Sequence, residues 1–125
     1  MPMDKKLLNN ILCSLNRSDK VVANFTEKNF PCIILAGVQP LYLITFRIDL
    51  AKMPTTDVLA IGRESFCDFK TPAKLQRISR LHCYIEKCDD GSYCIHDVSL
   101  FGTEVQMNPE SPAFKKKLKN FFQSL

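Results

Sequence analysis

Arg63, Ser79 and Arg80 belong to islands of small, basic and hydroxyl residues whose side chains have the groups that can hold an anion. A guanidinium stays charged and can grip two phosphate oxygens through parallel N–H donors, and a serine hydroxyl adds a donor of its own. Gly62 precedes the first arginine, and its backbone freedom would let the turn bring that side chain forward. Further on, Ser79-Arg80-Leu81-His82 opens an apolar run, and Asp97-Val98-Ser99 leads to Gly102-Thr103. Small, basic and hydroxyl residues thus gather where apolar runs end, and loops that carry such groups beside exposed backbone N–H form anion sites. The expectation is a β-rich module that holds a phosphate.

The elements that must position these islands are short alternating runs, the pattern of half-buried strands. Lys20 to Phe25 and Cys32 to Ala36 are candidate strands, separated by a polar turn at Thr26 to Asn29. Leu41 to Leu50 alternates and is rich in β-branched and aromatic residues, and Pro54 ends it because proline cannot continue a ladder. Asp57 to Ile61 delivers Gly62 and Arg63, a second strand is expected around Cys67 to Phe69, and Lys70 to Gln76 forms a polar loop. Ile78 to Cys88 and Ser92 to His96 are expected to form a hairpin about Asp89-Asp90-Gly91.

Two segments follow a helical period instead. At the N-terminus Leu8, Ile11, Leu12 and Leu15 share one face behind Asp4 as N-cap. That face packs on an open side of the strands or meets a partner helix. At the C-terminus Phe114, Leu118, Phe121 and Phe122 share a face, with Lys115, Lys116, Lys117 and Lys119 mostly off it. The lysines are either the solvated side of a packed helix or a contact for nucleic acid or membrane.

Bulk properties bound the answer. The 125 residues, 46% hydrophobic and 24% charged with a net charge of +4, suit one globular domain and tolerate anionic partners without requiring nucleic acid. Charges and amides in Met1 to Asn10 replace the apolar stretch of a signal peptide, so the expected setting is intracellular, with no membrane partner. There the six cysteines would be reduced thiols, and Cys83 and Cys94 are expected to point into the core. Cys83, Cys88, Cys94, His82 and His96 lack a Cys-x-x-Cys pair, so no metal is expected, and no cofactor. Nor is there a phosphate-loop motif or a nucleophile-base pairing, so no enzyme is expected.

Gly62-Arg63, Cys67-Asp68-Phe69, Ser79-Arg80-Leu81-His82, Asp97-Val98-Ser99 and Gly102-Thr103, in that order, resemble the pattern of the forkhead-associated (FHA) domain. The resemblance implies a β-sandwich whose loops bind a phosphothreonine peptide, with Arg63, Ser79 and Arg80 on the phosphate and Gly62, His82, Gly102 and Thr103 shaping the loops. The implied function is assembly of signalling, DNA-damage or cell-cycle complexes, the partner a phosphothreonine-containing protein and the location nuclear. The corresponding parts are an N-terminal helix and lead-in over 1–27, an FHA-like core over 28–106 and a basic amphipathic segment over 107–125.

Two departures from the family pattern stand out. Phe101 occupies the place of an asparagine that usually holds the peptide backbone, and a phenyl ring offers no donor or acceptor. Leu100 and Phe101 are therefore candidates for a peptide or partner contact. After Val105, where the family continues in strands, the chain turns helical in pattern, so the sandwich is either abbreviated or completed by N-terminal segments. Some family members, including the amino-terminal domains of DNA-damage checkpoint mediators, dimerise through this fold. The alternative function is accordingly an FHA-fold dimerisation or interaction module that has lost phosphopeptide binding.

Overall fold

The computed structural model describes residues 3–26, 32–35, 42–45 and 58–106. They form helix α1 (Lys5–Leu15) and strands β1 (Lys20–Phe25), β2 (Cys32–Leu35), β3 (Tyr42–Thr45), β4 (Val58–Gly62), β5 (Phe69–Lys70), β6 (Cys83–Lys87), β7 (Tyr93–Asp97) and β8 (Thr103–Gln106). Strands dominate, in a five-stranded sheet ordered β1-β7-β6-β4-β5 and a three-stranded sheet ordered β3-β2-β8. Neighbours run antiparallel except β4 and β5, which pair in parallel through Ile61 and Phe69.

Alternation gives the larger sheet two apolar faces. Ile61, Cys83, Ile85, Tyr93 and Ile95 point to one side and meet Ile33 of β2 and Val105 of β8, which makes the core between the sheets. Val58, Ala60 and Tyr84 point to the other side, where Met3 and Leu8 cover them. Both of these covering residues are buried, and burying a side chain of that size stabilises by about 1.5–3 kcal/mol relative to exposure. Of the two readings of the N-terminal helix, packing on the sandwich is the one seen. Asp4 caps it by accepting from the Leu7 N–H at 2.7 Å, and Asn16 ends it at φ 51, a left-handed angle that asparagine tolerates. Asp68 anchors the start of the chain, its two carboxylate oxygens accepting from the backbone N–H of Met3 at 2.9 Å and of Ala60 at 2.8 Å.

Among the described residues, N-terminal strands join both sheets. β1 covers the edge of β7, with a bulge between Val21 and Ala23, and β2 pairs with β8. The hairpin between β6 and β7 turns through Gly91 at φ 85, where the Gly91 N–H donates to the Cys88 carbonyl at 3.0 Å.

Three local expectations are corrected. Ile78 to His82 is not strand: these residues wrap around the end of β4, the Ser79 and Arg80 carbonyls accepting from the N–H groups of the loop that follows it, and β6 starts only at Cys83. Cys67 and Asp68 precede β5 rather than belonging to it, since the Asp68 side chain takes the Ala60 N–H that a ladder carbonyl would take. Cys94 does not face the core; its sulfur lies 3.0 Å from that of Cys88 and accepts from Asn24 Nδ2. Its neighbours Tyr93 and Ile95 fill the inward positions. The expectations for Ala36, for Leu41 and Phe46 to Leu50, for Asp57, for the turn at 27–29 and for 107–125 lie outside the described residues. Among those described, no helix is long and apolar enough to cross a membrane.

Candidate functional site

The end of β4, the loop before β6 and the connection from β7 to β8 meet at one end of the sandwich, held by backbone hydrogen bonds. The N–H groups of Arg63 and Glu64 donate to the carbonyls of Ser79 and Arg80, each at 3.2 Å, and the His82 N–H donates to Ile61 at 2.9 Å. Gly62 sits at the crossing. A Cβ there would lie 2.2 Å from the Arg80 carbonyl oxygen, so the glycine is required by close approach. Its φ is not positive, which corrects the expectation that it supplies unusual backbone angles.

His82 is fully buried and ties two loops together. Its Nδ1 accepts from the Ser79 N–H at 3.1 Å, which leaves the proton on Nε2 to be donated to the Gly102 carbonyl at 2.8 Å. Burial holds the imidazole below its ordinary pKa, so it is neutral. Gly102 adopts φ 105, and its N–H donates to Ser99 Oγ at 2.7 Å. Asp97 Oδ1 gathers the last turn, accepting from Ser99 N, Ser99 Oγ and Thr103 Oγ1. Cys67 closes the frame from below, its thiol donating to the Arg80 carbonyl at 3.3 Å. Burial pushes that thiol up to about 12, so it stays protonated.

Above this frame lies a cleft of about 230 Å³. Arg63, Ser79 and Arg80 all line it, together with Leu100 and Phe101. Arg63 is oriented by its Nε, which donates to the Ile78 carbonyl at 2.5 Å and leaves the paired terminal nitrogens for a ligand. Ser79 Oγ accepts from the Leu100 N–H at 3.1 Å and from Arg17 at 3.3 Å. With both lone pairs engaged, the hydroxyl proton is what Ser79 has left to give. Arg80 is 70% exposed and shares its charge with Glu64 at 3.6 Å. Leu100 is exposed, and Phe101 carries the guanidinium of Arg77 over its ring at 5.2 Å.

Sequence reasoning missed Arg17 and Arg77, which line the same cleft. Arg77 lies two residues before an island already singled out, so its neighbourhood was a usable signal. Arg17 follows a helix far upstream, and only the docking of α1 brings it to Ser79. Among the described residues, no group of three or more His, Cys, Asp and Glu side chains is placed to hold a metal ion.

The cleft lined by Arg63, Ser79 and Arg80 at one end of the sandwich gathers donor groups of the kind an anion needs. The family model described as "FHA domain" matches residues 59–121, just over half of the chain, and the chain belongs to that family. FHA domains are in general phosphopeptide-binding interaction modules rather than enzymes. No curated protein and no solved structure matches the chain.

Proposed function

We propose that this chain binds phosphothreonine peptides through the cleft at the end of the sandwich, so that a Ser/Thr kinase controls when it joins a partner protein. The observation that carries the reading is the convergence of Arg63, Ser79 and Arg80 on one small cleft, where Arg63 keeps its terminal nitrogens and Ser79 its hydroxyl proton for a ligand. Arg63 and Ser79 grip the phosphate, and Arg80 adds charge at the rim. His82, Gly102 and Thr103 hold the loops, and Gly62 lets them close. Assembly of a signalling complex, including one of the DNA-damage or cell-cycle kind in the nucleus, is the role such a reader would serve.

Fluorescence anisotropy with a phosphothreonine peptide, beside its unphosphorylated and phosphoserine counterparts, tests this. A hydrogen bond to a charged group contributes about 1.5–3 kcal/mol, so Arg63→Ala is expected to weaken binding roughly tenfold to a hundredfold. Arg80→Ala acts on a solvated cation and should cost only a few-fold. Phosphothreonine exceeds phosphoserine by roughly fourfold if one methyl is buried at about 0.8 kcal/mol. Affinity unchanged by Arg63→Ala for every phosphopeptide would refute the mechanism.

A further inference from the structure

Away from the cleft, two sulfurs lie almost in contact. Cys88 Sγ and Cys94 Sγ are 3.0 Å apart on the hairpin between β6 and β7. Strand register puts Cys83 opposite Asp97, beside the site loops, and Lys87 opposite Tyr93 at the far end, so the pair stands roughly 17 Å along the strands from the cleft. Tyr93 and Ile95 turn inward, which leaves Cys94 on the outer face, where Asn24 Nδ2 donates to its sulfur at 3.2 Å. Cys88 continues the ladder past the end of β6, its N–H donating to the Ser92 carbonyl at 2.8 Å. It is the diagonal neighbour of Cys94, a relation that brings two side chains of an antiparallel pair within reach.

The turn fixes that geometry. The Gly91 N–H returns to the Cys88 carbonyl at 3.0 Å, and Asp90 Oδ1 accepts from the N–H and the hydroxyl of Ser92 at 2.9 and 2.6 Å. A disulfide holds its sulfurs about 2.05 Å apart, so a side-chain shift of about 1 Å joins the two without moving the ladder. The other described thiols are placed differently. Cys67 and Cys83 are buried, and burial raises both thiols well above their ordinary value, so they stay protonated and inert. Cys13 is exposed on α1. Cys88 and Cys94 are half-buried, open to a small oxidant.

We infer that Cys88 and Cys94 form a site of reversible oxidation, which a peroxide closes into a disulfide that cross-links and stabilises the β6–β7 hairpin. Cys88, as thiolate, attacks one peroxide oxygen. The O–O bond breaks, Cys88 becomes a sulfenic acid, and the departing hydroxide takes up the proton that Cys88 lost to give water. Cys94 then attacks the Cys88 sulfur, the S–O bond breaks, and the hydroxyl leaves with the Cys94 proton as a second water. Two thiols are oxidised to one disulfide while one hydrogen peroxide is reduced to two waters. The hydrogen bond with Cys88, reinforced by burial, pushes the Cys94 thiol up to about 11, which suits the second role, where its proton is needed by the leaving hydroxyl.

The test treats the folded full chain with hydrogen peroxide, alkylates the remaining thiols and maps the peptides by mass spectrometry. The expected product is a peptide pair joined through Cys88 and Cys94, lighter than the reduced pair by two hydrogens and separated again by dithiothreitol. A cross-link restricts the unfolded chain, so the oxidised protein should melt several degrees above the reduced one. Cys88→Ser and Cys94→Ser should each abolish both the cross-link and the shift, and melting of the reduced variants checks that they fold. Recovery of Cys88 and Cys94 from the oxidised chain as alkylated thiols or as sulfonic acids overturns the site, as do cross-links that join either of them to Cys13 instead. An oxidised chain that carries the cross-link yet melts no higher than the reduced one overturns the stabilising role. None of these readouts involves a phosphopeptide, so the thiol pair stands or falls apart from the cleft.

Discussion

At the residue scale the site depends on how closely two backbones pass. A methyl group at Gly62 would sit 2.2 Å from the Arg80 carbonyl oxygen and 3.0 Å from Cys67 Sγ, and the backbone atom cannot move without pulling the loop that carries Ser79. Gly62→Ala is expected to lower stability by about 1–3 kcal/mol, as overpacking does. A reduced urea midpoint together with weakened phosphopeptide binding would check it. The need for a glycine before Arg63 was legible in the sequence; the reason was not, because a close approach between residues distant along the chain leaves no trace in local spacing. The same holds for His82, whose motif was readable while its tautomer was not. Burial keeps the folded imidazole below its ordinary value, so the unfolded chain takes up a proton first as pH falls. Its contribution to stability is complete above about pH 6.5 and shrinks on acidification, by up to about 1.4 kcal/mol per pH unit, until the folded pKa is reached. NMR titration of the ring should find its midpoint below the ordinary histidine value; a midpoint at or above that value would contradict the buried, doubly bonded geometry.

At the scale of elements, the helical period of Leu8, Ile11, Leu12 and Leu15 announced α1, and alternation announced most of the strands. The sequence did not show that β4 buries both its faces, with Ala60 toward the helix and Ile61 toward the second sheet. Alternation says that two faces differ without saying what covers each. Ile78 to His82 was misread as strand for a related reason. Its apolar side chains Ile78 and Leu81 are fully buried, as a strand's would be, but its backbone bonds run to the loop after β4. The helix is a structural layer, so Leu8→Ala should destabilise by about 2–4 kcal/mol, as cavity-forming substitutions do. Denaturant titration measures this, and a change below about 0.5 kcal/mol, the range of surface substitutions, would place α1 outside the cooperative unit.

At the scale of the whole molecule, the cleft is assembled from both ends of the described chain. Arg63, Ser79 and Arg80 were recognisable because they lie within one ordered pattern; Arg17 was not, because its place depends on the tertiary docking of α1. The consequence for binding is testable. Phosphopeptide at about a hundred times its dissociation constant should stabilise the fold by about 2.7 kcal/mol, and hydrogen exchange at the amides of α1 should slow along with those of the loops. Protection confined to the loops would mean that Arg17 takes no part.

The anchoring of α1 also sets an order of events during synthesis. Met3 is tied to Asp68, 65 residues later, and Arg17 to Ser79, 62 residues later. The helix leaves the ribosome first, yet the surface it docks on includes Tyr84 and Val98 and does not exist until β7 has been made. Such long-range closure slows folding. In the interval the apolar stripe of Leu8, Ile11, Leu12 and Leu15 stands without its cover, open to chaperones and to other nascent chains until the strands made after it are in place.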